Sequence, residues 1–175
     1  MKNKSLRTLV ETSLFATLIF ISVYALRIPV GAQFIHFGNA LVVVGVLLFG
    51  SKRGALAAAI GLGMFDLLTG YASVVWITIL ESLVVCLVLH LTYERIMKAD
   101  DKPVNIIAAG IIAAVTKIIL NLFKYTLTGV LVVNLDVASS FVAAIAKITG
   151  TFGSALVTVI SVPILYPILK NMMKK

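Results

Sequence analysis

Residues 104–128 read VNIIAAGIIAAVTKIILNLFKYTLT, and this stretch decides the class of fold. It is long enough for a membrane helix, because a helix needs about 20 mostly apolar residues to cross a hydrocarbon core. Yet it carries Lys117 and Lys124, and a charged side chain costs at least about 2.5–3.5 kcal/mol at the centre of a bilayer. Such groups are retained where they face other helices, a cavity or the water interface. The stretch therefore predicts one helix of a membrane bundle whose interior is partly polar.

The whole chain has the composition of a membrane protein. Of its 175 residues, 61% are hydrophobic and 13% are charged, against about 45–50% and about 25% in soluble domains. The mean hydropathy of +1.10 excludes a water-soluble globule, a disordered regulator and a disulfide-rich secreted module. Cys86 is the only cysteine, so no intrachain disulfide can form. The length suits a single transmembrane domain over residues 1–175.

Apolar segments alternate along the chain with charged or turn-forming residues. This pattern predicts an all-α integral membrane protein, a bundle of six transmembrane helices. The predicted helices cover about residues 6–26, 36–49, 54–69, 74–93, 104–128 and 139–169. The second and third are short for a full span, so four spans plus a re-entrant hairpin stay open as a competing count.

The net charge of +8 indicates orientation in the membrane rather than a nucleic-acid partner. Cytoplasmic loops of membrane proteins carry an excess of Lys and Arg. With six helices, most of the 15 basic residues fall at the termini and at the turns on the same side, whereas Arg27 falls on the opposite side. The residues on the shared side are Lys2, Lys4, Arg7, Lys52, Arg53, Arg95, Lys98, Lys102, Lys170, Lys174 and Lys175. We therefore predict that both the N- and C-termini are cytoplasmic. Nucleic acid is excluded as a partner, because basic and aromatic residues are not interleaved.

Polar residues inside the predicted helices converge at one depth of the bilayer. Lys117, Asn121 and Lys124 follow i, i+4, i+7 spacing, so they lie on one stripe of the fifth helix. Residues at a similar level on other helices complete a candidate substrate-binding set. The set is Asn39, Trp76, Glu81, Lys117, Asn121, Lys124, Tyr125 and Lys147. Because these groups gather in the outer half and form no line across the membrane, we expect an outward-facing pocket closed underneath.

Several of these polar residues also have a purely structural interpretation. Lys124 could snorkel to the outer interface, and Trp76 could belong to the aromatic belt at the membrane surface. Glu81 and Lys117 could form an ion pair between helices without touching a ligand. Asp66, at the end of the third helix, is interpreted as a turn residue. The prediction of a pocket therefore rests on the convergence of the set.

The sequence shows no motif of catalysis or metal binding. It has no Walker A loop, no His-Glu-x-x-His pair and no pair of cysteines. His36 and His90 lie at opposite ends of the predicted bundle and cannot share a metal ion. We therefore predict a protein that is not an enzyme and that uses no metal and no cofactor.

Small residues on the first helix form a candidate docking motif. Thr12 is followed four residues later by Ala16, and Ser13 by Thr17. Small residues at this spacing let membrane helices approach one another closely. The two pairs are consistent either with packing inside the bundle or with docking to another subunit.

Four motifs give the chain a resemblance to a known family. They are FIHFGNA at 34–40, LFGSKRGA at 48–55, GLGMFDLLTGY at 61–71 and PILYPILK at 163–170. With these motifs, six short spans and no ATP-binding loop, the chain resembles the substrate-binding S component of energy-coupling factor (ECF) vitamin transporters over essentially its whole length. The resemblance implies a multi-pass protein of a bacterial cell (plasma) membrane that binds a vitamin or vitamin precursor in an outward pocket. It also implies that a membrane-embedded T component and two ATPase subunits drive toppling of the S component in the lipid bilayer and release of the substrate inside.

The resemblance also assigns roles to particular segments. The family's Ala-x3-Ala docking motif on the first helix falls on Ser13 and Thr17, with Thr12 and Ala16 adjacent, so small hydroxyl residues replace the alanines. The loop 27–34 becomes the extracellular lid, and the pocket uses this loop together with helices four to six.

The substrate is predicted from the chemistry of the candidate set. Lys and Glu together in a pocket suit a polar heteroaromatic ring, and Trp76 and Tyr125 are available to stack on it. The best candidates are hydroxymethylpyrimidine and pyridoxine-like vitamins. Two or three unpaired lysines would instead favour a carboxylate such as pantothenate. A stand-alone membrane carrier or channel is a further alternative, and it requires a polar path to the cytoplasmic side.

Overall fold

The structure is a computed structural model that describes residues 2–31 and 33–173. Within those residues, seven α-helices and a short β-hairpin follow one another along the chain. The elements are α1 (Lys2–Ala25), β1 (Ile28–Val30), β2 (Gln33–Ile35), α2 (Gly38–Phe49), α3 (Ser51–Leu68), α4 (Val75–Leu89), α5 (Pro103–Leu131), α6 (Val137–Lys147) and α7 (Thr149–Met173). A 3₁₀ turn, Ala72–Val74, leads into α4, and a π-helical segment, His90–Ile96, continues it. The orientation prediction for Lys174 and Lys175 and for the side chains of Lys2 and Lys4 lies outside the described residues.

In the part of the chain that the structure describes, four helical segments are long and apolar enough to cross a membrane. They cover Leu6–Ala25, Ala72–Ile96, Pro103–Leu131 and Thr149–Met173. Two further helices, α2 and α6, are apolar but shorter. The predicted helical membrane architecture is therefore confirmed, with four clear spans and shorter helices packed among them.

The stretch predicted as one helix over 139–169 is two helices. Helix α6 ends at Lys147, and α7 begins two residues later. Gly150, in the first turn of α7, lies so close to the hairpin that a β-carbon there would be 2.6 Å from Cβ of Gln33. The helix is therefore interrupted where the chain packs beneath the hairpin. Apolar periodicity along the sequence does not report such a tertiary contact.

The structure also differs from the all-α prediction, because β1 and β2 form an antiparallel hairpin. Ile28 pairs with Ile35, and Val30 pairs with Gln33. Three of these four residues, Ile28, Val30 and Ile35, are β-branched and favour extended backbone. Gly31 adopts φ +59° at the turn, a conformation that glycine takes without steric cost. The segment predicted as a loop lid is therefore a short sheet, which we call the lid hairpin.

Helix α2 lies at the centre of the bundle. Most of its residues between Gly38 and Leu47 are buried, and it packs against α1, α3 and α7. A helix that is hydrophobic on all sides is typical of a buried core position. Its short apolar run therefore reflects burial among other helices rather than exposure to lipid.

Close packing of α1 on α3 depends on Gly61. A β-carbon at this position would lie 2.6 Å from the carbonyl oxygen of Ala16 and 2.8 Å from Cβ of Ile19. Small residues permit such approach where the surrounding solvent is as apolar as the side chains. The small-faced third helix predicted from the sequence thus packs against the first.

The two ends of the bundle have different chemistry. We call the end that carries β1 and β2 the hairpin end, and the end with the N-terminus of α1 and the C-terminus of α7 the terminal end. At the terminal end, Asp101 accepts hydrogen bonds from Tyr93, Tyr166 and Lys170. Burial opposes the ionisation of Asp101, but these hydrogen bonds, with that from Lys170 the strongest, outweigh it and lower the carboxyl pKa. This cluster joins the α4–α5 connection to α7.

Candidate functional site

A cavity of about 180 Å³ lies at the hairpin end, beneath β2 and among the surrounding helices. Its wall combines charged, amide, hydroxyl and aromatic side chains. The lining residues are Val23, Gln33, Phe34, His36, Asn39, Leu62, Phe65, Asp66, Tyr71, Val74, Thr78, Glu81, Lys117, Asn121, Thr151 and Ser154. Toward the terminal end the interior narrows to a void of about 10 Å³, roughly the space for one water. Its wall is mixed, because Val42, Val85 and Ala113 lie beside the polar residues Asn39, Ser82, Lys117 and Thr158. The open space of the cavity therefore ends at this level.

Glu81 is the centre of a buried ion cluster between α4 and α5. Its Oε2 accepts a hydrogen bond from Nζ of Lys117, and its Oε1 lies 2.8 Å from Nζ of Lys124. Asn121 donates from Nδ2 to Oε2 of Glu81 at 3.4 Å. Residues three and four apart on a helix share a face, so the spacing along α5 presents all three partners to α4. One carboxylate is therefore shared by two lysines.

Gln33 fastens the lid hairpin to α5 and α7. Its Oε1 accepts hydrogen bonds from the backbone N–H and the hydroxyl of Thr151, at 2.8 and 2.9 Å. Its Nε2 donates to Oδ1 of Asn121 at 3.3 Å. Further along α7, Ser154 donates to the carbonyl of Phe34 and accepts from the backbone N–H of His36. The lid hairpin thus covers the cavity. Asn121 joins it to the ion cluster, because this residue contacts both Gln33 and Glu81.

Three aromatic rings line the part of the cavity near the end of α3. The ring of Tyr71 stacks with Phe65 at a centroid distance of 6.1 Å and meets Phe34 edge-on at 5.8 Å. The guanidinium of Arg27 lies over Phe34 and Phe65, 4.8 and 5.2 Å from their ring centroids. Asp66 directly follows Phe65 and lines the same cavity. The site therefore combines an aromatic wall with charged groups.

The structure brings together five of the eight residues predicted for the substrate site. Asn39, Glu81, Lys117 and Asn121 line the cavity. Lys124 does not line the cavity itself, but its Nζ lies 2.8 Å from Oε1 of Glu81, which does. The structural interpretation of Glu81 and Lys117 as an ion pair also describes what is observed, and the pair stands in the cavity wall.

Trp76, Tyr125 and Lys147 lie away from the cavity lining. Trp76 is 77% exposed on the outer surface of α4. Lys147 is exposed at the end of α6, with its Nζ 5.9 Å from the ring centroid of Tyr125. The Nζ of Lys124 lies 4.8 Å from the same centroid. Sequence spacing indicated the depth of these residues in the bilayer but not the direction of their side chains.

The substrate-binding set predicted from the sequence leaves out much of the polar lining of the cavity. The residues outside that set are Gln33, His36, Asp66, Tyr71, Thr78, Thr151 and Ser154. One signal was available, because Thr151, Ser154, Thr158 and Ser161 place small hydroxyl groups on one face of an apolar helix, and all four are buried. Gln33 and His36 gave no such signal, since they flank a short strand without helical periodicity.

The candidate docking residues divide into two pairs. Thr12 and Ala16 are buried inside the bundle, and Thr12 accepts a hydrogen bond from Arg53. Ser13 and Thr17 are exposed, and the Thr17 hydroxyl donates to the Ser13 carbonyl at 3.0 Å. They border a groove of about 290 Å³ between α1 and α3. The first pair thus packs within the bundle, and the second lies on its surface.

These features define a class of protein, a helical membrane bundle with a polar cavity beneath a lid hairpin at one end. Two solved structures share this fold. ThiT from Listeria monocytogenes aligns with a TM-score of 0.63 at 20% identity, covering 97% of this chain and 96% of that chain. The S component of a bacterial ECF transporter aligns with a TM-score of 0.62 at 19% identity, covering 100% of both chains. The fold is therefore that of an ECF S component.

The sequence profile of the family described as "ECF-type riboflavin transporter, S component" matches residues 3–174, so the chain belongs to this family. No curated protein matches the chain. The protein is thus a substrate-binding subunit of an ECF transporter and a membrane transport component rather than an enzyme. ECF S components bind small vitamin substrates and associate with T and ATPase modules in the membrane. The resemblance stated from the sequence motifs is confirmed.

Proposed function

We propose that this S component captures an uncharged, nitrogen-containing heteroaromatic vitamin, with pyridoxine and hydroxymethylpyrimidine as the leading candidates. The observation that carries the proposal is the engagement of both Lys117 and Lys124 by Glu81. A carboxylate ligand such as pantothenate needs an available cation, and each of these lysines is already in contact with the Glu81 carboxylate. The amide of Asn39 and the ring of Tyr71 suit the hydrogen-bonding groups and the face of a small heterocycle.

The size of the cavity favours a single ring. Sites for drug-sized ligands measure about 300–1,000 Å³, and this cavity measures about 180 Å³ with the lid hairpin closed. A pyridine or pyrimidine ring suits such a space. Riboflavin, which the family name carries, has three fused rings and a ribityl chain. Its binding would require the lid hairpin to move away from α7.

The charge distribution supports an outward-facing cavity. Arg53, Arg95 and Lys170 lie toward the terminal end, whereas Arg27 lies at the hairpin end. By the positive-inside rule, the terminal end and both termini face the cytoplasm. The cavity then opens toward the outside of a bacterial cell, and the partner T component and two ATPases would drive uptake.

The packing beneath the cavity favours a binding subunit over a stand-alone channel or carrier. A conducting path needs polar groups or water across both leaflets. Here the void below the cavity holds only about 10 Å³, room for about one water, although its wall includes polar residues. Passage of the substrate to the other side therefore requires movement of the whole subunit or of its helices. The partner modules would drive that movement.

We expect the detergent-purified protein to bind pyridoxine or hydroxymethylpyrimidine about 100-fold more tightly than pantothenate, because the cavity lysines offer no free cation. Isothermal titration with these three compounds and riboflavin measures this directly. Lys147→Ala, which alters an exposed lysine outside the cavity, is the matched control and should leave each affinity unchanged. Tight binding of pantothenate, or of riboflavin alone, would contradict the proposed substrate class.

We also propose that the groove beside Ser13 and Thr17 receives the T component. Thr17→Trp fills this groove, so we expect it to prevent co-purification of the T and ATPase subunits while ligand affinity stays unchanged. Ile119→Trp is the control, because it adds the same ring on the exposed surface of α5. Normal assembly of the Thr17→Trp complex would assign this surface to lipid instead.

A further inference from the structure

Asp66 is a buried residue of the cavity wall, and one oxygen of its carboxylate, Oδ2, has no hydrogen-bond partner in the described part of the chain. It stands in the last turn of α3 and is 5% exposed. Among the residues that the structure describes, no hydrogen-bond donor reaches its Oδ2. An acceptor that is removed from water and left unpaired is costly, so such a group calls for an explanation.

Several polar groups around it have partners inside the protein. Glu81 binds two lysines, Gln33 binds Thr151, and Ser154 binds the backbone of β2. These groups hold the cavity together, whereas Oδ2 of Asp66 contributes no hydrogen bond to the fold of the described residues. Its place in the cavity wall therefore points to a ligand.

The surroundings of Asp66 define what that ligand presents. Phe65, Phe34 and Tyr71 line the same part of the cavity, and Arg27 holds two of these rings in position by lying over their faces. A flat ring that contacts this aromatic wall has its edge within reach of a neighbouring acceptor. A carboxylate accepts hydrogen bonds and, when ionised, donates none. The complementary edge group is an O–H, an N–H or a protonated ring nitrogen.

Asp66 also completes the charge pattern of the cavity. One carboxylate, Glu81, faces Lys117 and Lys124, and Asp66 is the second carboxylate in the same wall. A second acidic residue in the wall makes the cavity less favourable for an anionic ligand than for one without negative charge.

We propose that Asp66 accepts a hydrogen bond from a donor on the edge of the bound ring and so selects donor-bearing, non-anionic heterocycles. The proposal rests on the proposed function and adds a specificity-determining residue and a required ligand group to it. A hydrogen bond to a charged group is strong, and it is lost when the ligand has no donor at that position.

The test pairs a ligand series with an isosteric variant. Pyridoxine and its singly O-methylated ethers are titrated into the wild-type protein and into Asp66→Leu. We expect one ether to bind the wild-type protein about 10- to 100-fold more weakly than pyridoxine, and Asp66→Leu to lose most of that difference. An unchanged difference in the variant would overturn the role of Asp66.

A second readout needs no ligand. In the ligand-free protein, Asp66→Leu should raise the melting temperature, because it replaces an unpaired buried acceptor with an apolar group of similar size. A fall in melting temperature would show that Asp66 is structural and would overturn the proposal. Asp136→Asn, which alters an exposed carboxylate that caps α6, is the control and should change neither affinity nor stability.

The two readouts separate the two proposals. If pyridoxine and hydroxymethylpyrimidine both fail to bind the wild-type protein, the proposed substrate class is contradicted. The melting temperature of Asp66→Leu then still decides whether Asp66 is a binding or a structural residue.

Discussion

Replacing Glu81 with glutamine is expected to abolish binding of the heterocyclic ligand and to destabilise the ligand-free protein. The variant leaves the partly buried Lys117 and Lys124 without their shared counter-ion. Removing one partner of a fully buried ion pair typically costs about 3–5 kcal/mol, so the cost here should lie at or below the lower end of that range. Affinity should fall by about 100-fold or more, because the side chains that shape the cavity lose their fixed positions. Isothermal titration and thermal unfolding in detergent measure the two effects.

The same variant makes a second prediction about specificity. With Glu81 neutral, the cavity gains positive charge, so the affinity for pantothenate should rise while that for pyridoxine falls. Glu11→Gln is the matched control, because Glu11 pairs with Arg7 and Arg53 far from the cavity, at the terminal end. Its effect on stability should be about 1 kcal/mol or less, with no effect on binding. Equal behaviour of the two variants would show that the Glu81 cluster has no role in the site.

Replacing Gly150 with valine is expected to hold the lid hairpin away from α7 and to weaken ligand binding. A β-carbon at this position would lie 2.6 Å from Cβ of Gln33 and 3.2 Å from the backbone nitrogen of Phe34. These atoms belong to the strand itself, so they cannot move aside without shifting β2. Overpacking of this kind typically costs about 1–3 kcal/mol, which corresponds to about 10- to 100-fold in affinity. Most of the loss should appear as faster ligand dissociation, measured by stopped-flow fluorescence.

Two further variants make the test of the lid hairpin specific. Leu156→Phe adds volume on the exposed face of the same helix and should leave dissociation unchanged. Gln33→Ala removes the hydrogen bonds to Thr151 and Asn121 without adding a clash, so it should speed dissociation by a smaller factor. Unaltered dissociation in Gly150→Val would contradict the idea that this contact closes the cavity.

The α5 side of the site could be predicted because helix geometry is local. Lys117, Asn121 and Lys124 share a face at any tilt of the helix, since their spacing follows the helical repeat. Their acidic partner was also within reach, because Glu81 is a charged residue inside an apolar segment and requires compensation. The pairing of one acid with two lysines could not be predicted, since it depends on how α4 and α5 are rotated against each other.

The position of Trp76 and Lys147 away from the cavity has the same cause. Hydropathy places both residues in the outer half of a span but does not say which neighbour each helix faces. Trp76 projects to the exterior of α4, which agrees with the aromatic-belt interpretation. The prediction of one helix over residues 139–169 places Lys147 deep in the membrane. The break before α7 places it instead at the exposed end of α6.

The sequence alone determines the membrane class, the resemblance to the family and the polar stripe of α5. It also determines that the charged residues inside the apolar segments must face other helices or a cavity rather than lipid. These properties follow from apolar length, helical period and the cost of burying charge, all of which act within one segment. Only the tertiary structure decides which polar groups meet. Gln33 and Thr151 come together across a separation of 118 residues, and Oδ2 of Asp66, in the same cavity, is left without a hydrogen-bond partner among the described residues. Both outcomes depend on the packing of several helices at once, which no single segment encodes.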